Sequence, residues 1–286
     1  MASLNYPNIV PENNLRLPDA LTIEHGPAPL LGRFVVAGDR AARANGLRLR
    51  IRHDFPELNR LNQEQAERGA WYPLIDMFNP ERSDIAPENG FWISGENDSG
   101  DIVSTYAARV YYWPDSNLKE QAVAMLYGRD EGQPVVVTAP AASEIGGLVL
   151  SVGAAWVRPD YRGRQLSHLL PRVAKAYAIS RWPLDWAMGY VTAASALKGL
   201  AYGYGSKHLS YSVVYPDLDF GELAVAYSSG REVYDDLAEF LDKELSDPLG
   251  AKFASPRSAA PAGINFEQEV TKMPSSPAFH GSSRRS

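Results

Sequence analysis

Residues 155–167 read Ala-Trp-Val-Arg-Pro-Asp-Tyr-Arg-Gly-Arg-Gln-Leu-Ser, and they join a buried strand to an amphipathic helix through a polar turn. The strand is predicted by the apolar run that ends at Pro159. The helix is predicted by apolar residues at helical spacing, namely Leu166, Leu169, Leu170 and Val173. Because a helix N-terminus exposes unpaired N–H groups and a positive dipole end, such a turn attracts phosphate or pyrophosphate. Arg162 and Arg164 add charge of the matching sign, although charged turns of this kind also serve simply to keep a connection soluble.

The elements on either side of this turn alternate between helices and strands. Upstream, the pattern predicts one or two helices over Phe55–Phe78 with a break at Gly69, a hairpin around Asn97-Asp98-Ser99-Gly100, and a helix over Ser116–Tyr127. Downstream, it predicts a strand at Leu184–Val191, a short helix at Ser195–Tyr202, two strands at 208–215 and 222–228, and an amphipathic helix at 231–246. The fold class is therefore mixed α/β.

The two ends of the chain differ from this middle part. Residues 1–30 are rich in Pro and Asn and predict an extended N-terminal arm. Residues 248–286 are rich in Pro, Ser and Ala, which predicts a disordered tail. Between them, residues 31–247 are expected to form a single domain, with an insertion at about 114–146.

Composition excludes several classes of protein. The net charge of −6 argues against nucleic acid or an anionic membrane as the main partner, because both require an excess of clustered Lys and Arg. Cys is absent, which excludes disulfides, thiolate metal sites and cysteine nucleophiles. The five His have no metal-binding spacing, so no metal is expected. The N-terminus does not resemble a signal peptide, and we expect a cytoplasmic protein.

The run Val-x-Pro-x-Tyr-Arg-Gly-Arg-x-Leu-Ser at 157–167 resembles the acyl-CoA-binding signature of the GCN5-related N-acetyltransferase (GNAT) superfamily. The order of predicted elements from about residue 34 to 228 is also similar to that family. The resemblance implies a mixed, mostly antiparallel central sheet flanked by helices, with a strand-loop-helix acyl-CoA site. In that site the loop amides hold the pyrophosphate and the preceding strand pairs with the pantetheine arm. The implied cofactor-binding residues are Val157, Arg162, Gly163, Arg164, Gln165, Leu166 and Ser167.

Three residues depart from the family pattern. Gln165 stands where Gly is usual, and Ser167 where Gly or Ala is usual. A Cβ at position 165 is expected to limit the approach of a diphosphate and to remove access to positive φ. Pro171 is expected to remove the amide bond back to the Ser167 carbonyl and to make the first helical turn irregular. These departures leave two alternatives open, an altered cofactor pose or a scaffold without its cofactor.

Acyl transfer to an amine requires a neutral amine, a polarised carbonyl and a proton for the departing thiolate. The resemblance implies that Tyr202, on the short helix, is the acid, with Tyr204 two residues further on. Both could equally be packing aromatics. Glu144, just before the strand that leads to the loop, is the predicted base, with His168 and His208 as weaker candidates. Each of these three residues also has a simpler interpretation as a loop, capping or edge residue.

The resemblance also places acceptor recognition in the segments Phe55–Phe78 and Tyr111–Val137. Seven aromatic residues could line an acceptor or acyl pocket, although aromatics are more often core: Trp71, Tyr72, Phe91, Trp92, Tyr111, Tyr112 and Trp113.

The sequence therefore predicts an N-acyltransferase that uses acetyl-CoA or another acyl-CoA as co-substrate. The expected partner is a small-molecule or peptide amine acceptor, with no nucleic acid and no membrane, and a homodimer is one open assembly state. The alternative is a non-catalytic protein of the same fold that senses acyl-CoA or binds a partner. Phosphate-loop, dinucleotide-binding and nucleophile-elbow motifs are absent from the sequence, which argues against other nucleotide enzymes and hydrolases.

Overall fold

The computed structural model describes residues 14–127, 135–214 and 221–246. The predicted tail at 248–286 and residues 1–13 of the predicted arm lie outside the described residues. All described residues belong to one unit of the chain, Met1–Ser255.

The described residues form a mixed sheet with helices on both faces. Its strands are β1 (Leu15–Arg16), β2 (Arg48–Arg52), β3 (Gly90–Glu96), β4 (Ile102–Asn117), β5 (Val136–Val137), β6 (Gly146–Val157), β7 (Trp186–Thr192), β8 (His208–Val214) and β9 (Glu222–Ser229). The helices are α1 (Ala28–Ala44), α2 (Phe55–Glu67), α3 (Leu118–Tyr127), α4 (Leu166–Arg181), α5 (Ala193–Leu197), α6 (Leu200–Gly203) and α7 (Gly230–Lys243).

The strands lie in the order β1-β2-β3-β4-β6-β7-β9-β8-β5. In the described part of the chain β6 and β7 are parallel, and every other neighbouring pair is antiparallel. From β2 to β9 this is the element order that the GNAT resemblance implies. The predicted fold class, a GNAT-like and mostly antiparallel sheet flanked by helices, is therefore confirmed.

The start of the domain differs from the prediction. The family order, expected from about residue 34, begins only at Arg48, because α1 is a helix that starts inside the predicted arm. Its buried residues Leu31, Phe34 and Val35 have helical spacing. The small residue Gly38 brings α1 close to α4, since a Cβ there would lie 3.2 Å from a methyl group of Val173.

Two apolar cores lie on opposite faces of the sheet. On one face α1, α4 and α7 cover the strands. On the other face lie α2, α3 and a single 3-10 turn at Asp76–Phe78. The predicted insertion holds α3 and β5, and its residues 128–134 lie outside the described residues. None of the described helices is both long and apolar enough to cross a lipid bilayer.

Candidate functional site

A gap opens between the C-terminal ends of the two parallel strands. β6 and β7 pair over four residues, Val149–Val152 with Trp186–Gly189. Beyond that pairing, β6 continues along β4 as far as Val157 and β7 continues along β9 as far as Thr192. Because ligands of open sheets bind where neighbouring parallel strands diverge, this gap is the natural place for a ligand.

A β-bulge in β6 lies at the edge of this gap. The pairing of β6 with β4 shifts register between Thr105 and Ala107, and Ala154 has a positive φ of 46°. The hydroxyl of Thr105 donates a hydrogen bond to the Ala154 carbonyl over 2.9 Å. A bulge bends its strand and releases backbone groups from the ladder, so the end of β6 turns away from β7 at this point.

The loop after β6 leads into the N-terminus of α4. It contains a short 3-10 turn at Pro159–Tyr161 and two residues with positive φ, Gly163 at 78° and Gln165 at 57°. The amides of the first turn of α4 precede its internal hydrogen bonds and point out of the helix end. A Cβ on Gly163 would meet no heavy atom within 4 Å, so this side of the loop is open. Open backbone at a helix N-terminus suits an anion.

The two loop arginines have different roles in the structure. Arg164 donates to the carbonyl of Asn45 over 3.0 Å and to that of Asp160 over 3.2 Å, and its guanidinium lies 4.2 Å from the centre of the Tyr161 ring. Arg164 therefore fastens the loop to the C-terminal end of α1. Arg162 is exposed and makes one hydrogen bond, over 3.2 Å, from Nε to the Val157 carbonyl. Of the two loop arginines, Arg162 is therefore the one whose guanidinium lies at the open side of the loop.

Two expectations about this loop are wrong. Gln165 does reach positive φ, because it is the residue that turns the chain into α4 and the left-handed region is accessible to a side-chain-bearing residue at an energetic cost. The first turn of α4 is also regular, and the helix runs without a break through the buried Pro171 to Arg181. The lost amide bond is offset by core packing of the neighbouring Leu170 and Val173.

Gln165→Gly is expected to raise the free energy of unfolding by up to about 1 kcal/mol, because glycine adopts the left-handed conformation without a Cβ clash. The matched control is Gln63→Gly in the exposed face of α2, which should lower it by about 1 kcal/mol. Urea unfolding of both variants measures the difference. Equal destabilisation by the two changes would show that the backbone of Gln165 is not strained.

The predicted short helix after β7 is two helices, α5 and α6, separated by Gly199 with φ of 77°. This break sends Tyr202 outwards, where 57% of the residue is exposed and it faces the groove between α4 and α7 that includes Arg172. Tyr204 turns inwards and packs beside Val191 and the small residues of β9. Only a structure distinguishes these two tyrosines.

Tyr204 lies near Tyr106, a residue of the strand that faces the bulge. Burial raises the pKa of Tyr204 to about 12. Tyr106 lies at the register shift of β4 opposite the bulge. Burial raises the pKa of Tyr106, and the nearby Tyr204 raises it further. The effect of Tyr204 on this pKa indicates that the two phenols lie near each other, with Tyr106 at the level where β6 and β7 diverge.

The structure does not bring Glu144 to the loop. Glu144 is exposed and lies two residues before the start of β6, whereas the loop follows the end of this 12-residue strand. A strand of that length spans about 36 Å. The prediction of Glu144 as base relied on its closeness in sequence to the start of β6. Because the loop follows the other end of this extended strand, Glu144 and the loop lie far apart.

The two candidate histidines lie in different parts of the fold. His168 lies in the first turn of α4, where its Nε2 would be 3.1 Å from a Cβ on Gly203, so it contacts the turn that carries the tyrosines. His208 lies at the start of β8, and its Nε2 is 2.6 Å from Oε1 of Glu232 on α7.

Most of the aromatic residues considered for an acceptor pocket are packing residues. Phe91, Trp92 and Trp113 are buried. Trp71 stacks on Trp156 with ring centres 5.6 Å apart, and Tyr111 stacks on Trp113 at 5.0 Å. Tyr72 and Tyr112 are exposed.

No family model matches the chain, and no curated protein matches it. Several solved structures are similar to it. An uncharacterized protein from Bacillus halodurans is 11% identical with a TM-score of 0.41, and the match covers 69% of this chain and 92% of that one. A GNAT-family acetyltransferase from Streptococcus agalactiae is 16% identical with a TM-score of 0.35, covering 63% and 95%. NAA60 of Arabidopsis thaliana, solved with acetyl-CoA, is 13% identical with a TM-score of 0.36, covering 63% and 96%.

Proposed function

We propose that this protein is an acyl-CoA-dependent N-acyltransferase that transfers an acyl group, most simply acetyl, to a small-molecule or peptide amine. The observation that carries the proposal is the gap between β6 and β7, with the bulge at Ala154 on one side and the loop before α4 at its end. This arrangement would offer an acyl-CoA a strand edge, a helix N-terminus for its diphosphate and a phenol nearby. The geometry and the sequence signature at 157–167 support the same function.

The residues at the loop fit the diphosphate of a CoA thioester. The amides at Gly163, Gln165, Leu166 and Ser167 surround the helix N-terminus, where the dipole favours negative charge. Arg162 supplies an exposed guanidinium, and Val157 ends the strand edge along which an extended pantetheine arm could pair. Arg164 contributes by holding the loop in place.

The bound thioester supplies an activated acyl carbon, to which the acceptor nitrogen forms a bond as the carbon–sulfur bond breaks. The sulfur then requires one proton, and water accepts the proton that the nitrogen loses. We assign the donor to Tyr204, because its phenol stays protonated at neutral pH and lies at the gap. In the same gap the thiolate is also removed from water. This desolvation penalises its charged form and raises the pKa of the thiol, which favours transfer of the proton to sulfur.

Thermal unfolding of the full chain with acetyl-CoA, free CoA and NAD tests the binding step. A ligand present at about 100 times its Kd should stabilise the protein by about 2.7 kcal/mol. Both CoA species should raise the melting temperature and NAD should not. Arg162→Glu should remove most of the shift, because it places a negative charge beside the diphosphate. The control Arg231→Glu, at an exposed position of α7, should retain it.

Turnover separates the enzyme from the alternative of a sensor or scaffold. A transferase releases CoA thiol in the presence of a suitable amine from a library, whereas a sensor binds and releases none. A chain that shows no thermal shift with either CoA species would contradict both the transferase and the acyl-CoA sensor, and would favour the scaffold that binds a protein partner.

A further inference from the structure

Three consecutive backbone carbonyls around Tyr204 accept hydrogen bonds from cations of α4. Nη1 of Arg172 donates to the Gly203 carbonyl over 2.6 Å. Nζ of Lys175 donates to the carbonyls of Tyr204 and Gly205, each over 3.0 Å. The turn that carries the inward-facing phenol is thus held from the helix whose N-terminus forms the proposed anion site.

These cations are buried, at 6% exposure for Arg172 and 2% for Lys175. Asp236 of α7 pairs with Arg172 through two hydrogen bonds of 2.8 and 3.1 Å. Burial lowers the pKa of Lys175 to about 8, against the opposing effect of Asp236. Keeping a lysine here has a cost in stability, because desolvation penalises its charged form.

Gly205 shows how closely the turn fits this cluster. A Cβ on Gly205 would lie 2.3 Å from Oδ2 of Asp236 and 3.1 Å from Cζ of Arg172, and its φ is 74°. The backbone therefore packs directly against the ion pair. Hydrogen bonds to the main chain therefore add to the apolar packing of Tyr204 in fixing the position of the turn.

A surface turn can satisfy its carbonyls with water at little cost. Replacing water by two buried cations and a counter-charge is expensive, and buried ion pairs are weak evidence for stability as such. The cluster is better explained by a role in fixing the position of the Tyr204 side chain. Charge-assisted hydrogen bonds restrict the backbone position more than apolar contacts do.

We propose that Arg172, Lys175 and Asp236 are positioning residues, which hold the turn around Tyr204 and so fix the position of its phenol near Tyr106. This inference rests on the proposed function for its consequence in turnover. None of the three residues needs to touch the substrate. Their effect passes through the Tyr204 backbone.

The test compares Lys175→Met and Lys175→Arg with Lys243→Met, which removes an exposed lysine from α7. The ring signal of Tyr204 in a carbon-13 tyrosine-labelled protein, assigned with Tyr204→Phe, reports its pKa and environment without any turnover. Lys175→Met should move this signal and bring the pKa of Tyr204 down from about 12 towards 10. It should lower kcat by about 10- to 100-fold, as expected for a displaced catalytic group, with KM for the acyl-CoA within twofold. Lys243→Met should change neither quantity.

Lys175→Arg keeps a donor at the turn and should recover most of the lost kcat. A folded Lys175→Met that keeps both the Tyr204 signal and kcat would overturn the inference. If Lys175→Met does not fold, Arg172→Lys, which loses the paired contact with Asp236, is read by the same signal, and an unmoved Tyr204 overturns the inference. A wild-type chain without turnover would refute the transferase, while the ring signal would still decide the positioning role.

Discussion

Replacing Tyr204 by Phe should lower kcat for acetyl-CoA-dependent acylation by about 10²- to 10⁴-fold, the usual contribution of a positioned proton donor. The hydroxyl is the one group removed, and the ring still fills its place beside Val191. Binding of acetyl-CoA, measured by calorimetry, should change by less than threefold, because the proposed anion site lies at the start of α4. The measurement is thiol release under saturating acetyl-CoA and amine.

Tyr202→Phe provides the direct comparison, since the sequence pattern assigns the same role to Tyr202. Its hydroxyl belongs to a residue that is 57% exposed in the groove between α4 and α7. We expect less than a threefold loss of kcat from that change. A large loss in Tyr202→Phe together with a small one in Tyr204→Phe would restore the assignment made from the sequence.

The largest expected effect on stability comes from Asp236→Ala. Without this carboxylate, the buried Arg172 loses the counter-charge that it contacts on α7 and Lys175 loses a nearby one. Removing one partner of a buried pair costs about 3–5 kcal/mol. Urea unfolding should show a correspondingly lower midpoint, with the slope against urea nearly unchanged.

Asp235→Ala is the matched control for this loss. Asp235 is the preceding residue of α7 and is exposed, so the same change in charge and size should alter stability by less than about 0.5 kcal/mol. Equal effects of the two substitutions would mean that the ion pair of Asp236 with Arg172 is solvated in solution.

The order of strands and helices was predictable because each element has a local signature. The loop at 157–167 combines a strand end, a glycine and a helix start within a few residues, so its position follows from the sequence alone. The helix α1 was missed although Leu31, Phe34 and Val35 have helical spacing. The Pro and Asn content before it favoured an extended arm.

The candidate site was less predictable because its parts are brought together by tertiary contacts. Arg172 and Asp236 are 64 residues apart in sequence, and neither motif nor spacing connects them. The distinction between Tyr202 and Tyr204 depends on the backbone turn at Gly199, whose left-handed conformation interrupts the predicted helix. Glu144 illustrates the converse, since a residue near a strand in sequence can lie at the far end of it.

The contact of Arg164 with the Asn45 carbonyl has a consequence for how a ligand would be received. Because this contact joins the loop to the end of α1, the loop takes its shape when the chain folds. The loop amides are therefore oriented before an anion binds, and the loop loses little conformational freedom on binding. Weakening the fastening with Arg164→Ala should therefore slow capture and add an entropic penalty to the affinity, while the amides that contact the anion stay chemically the same.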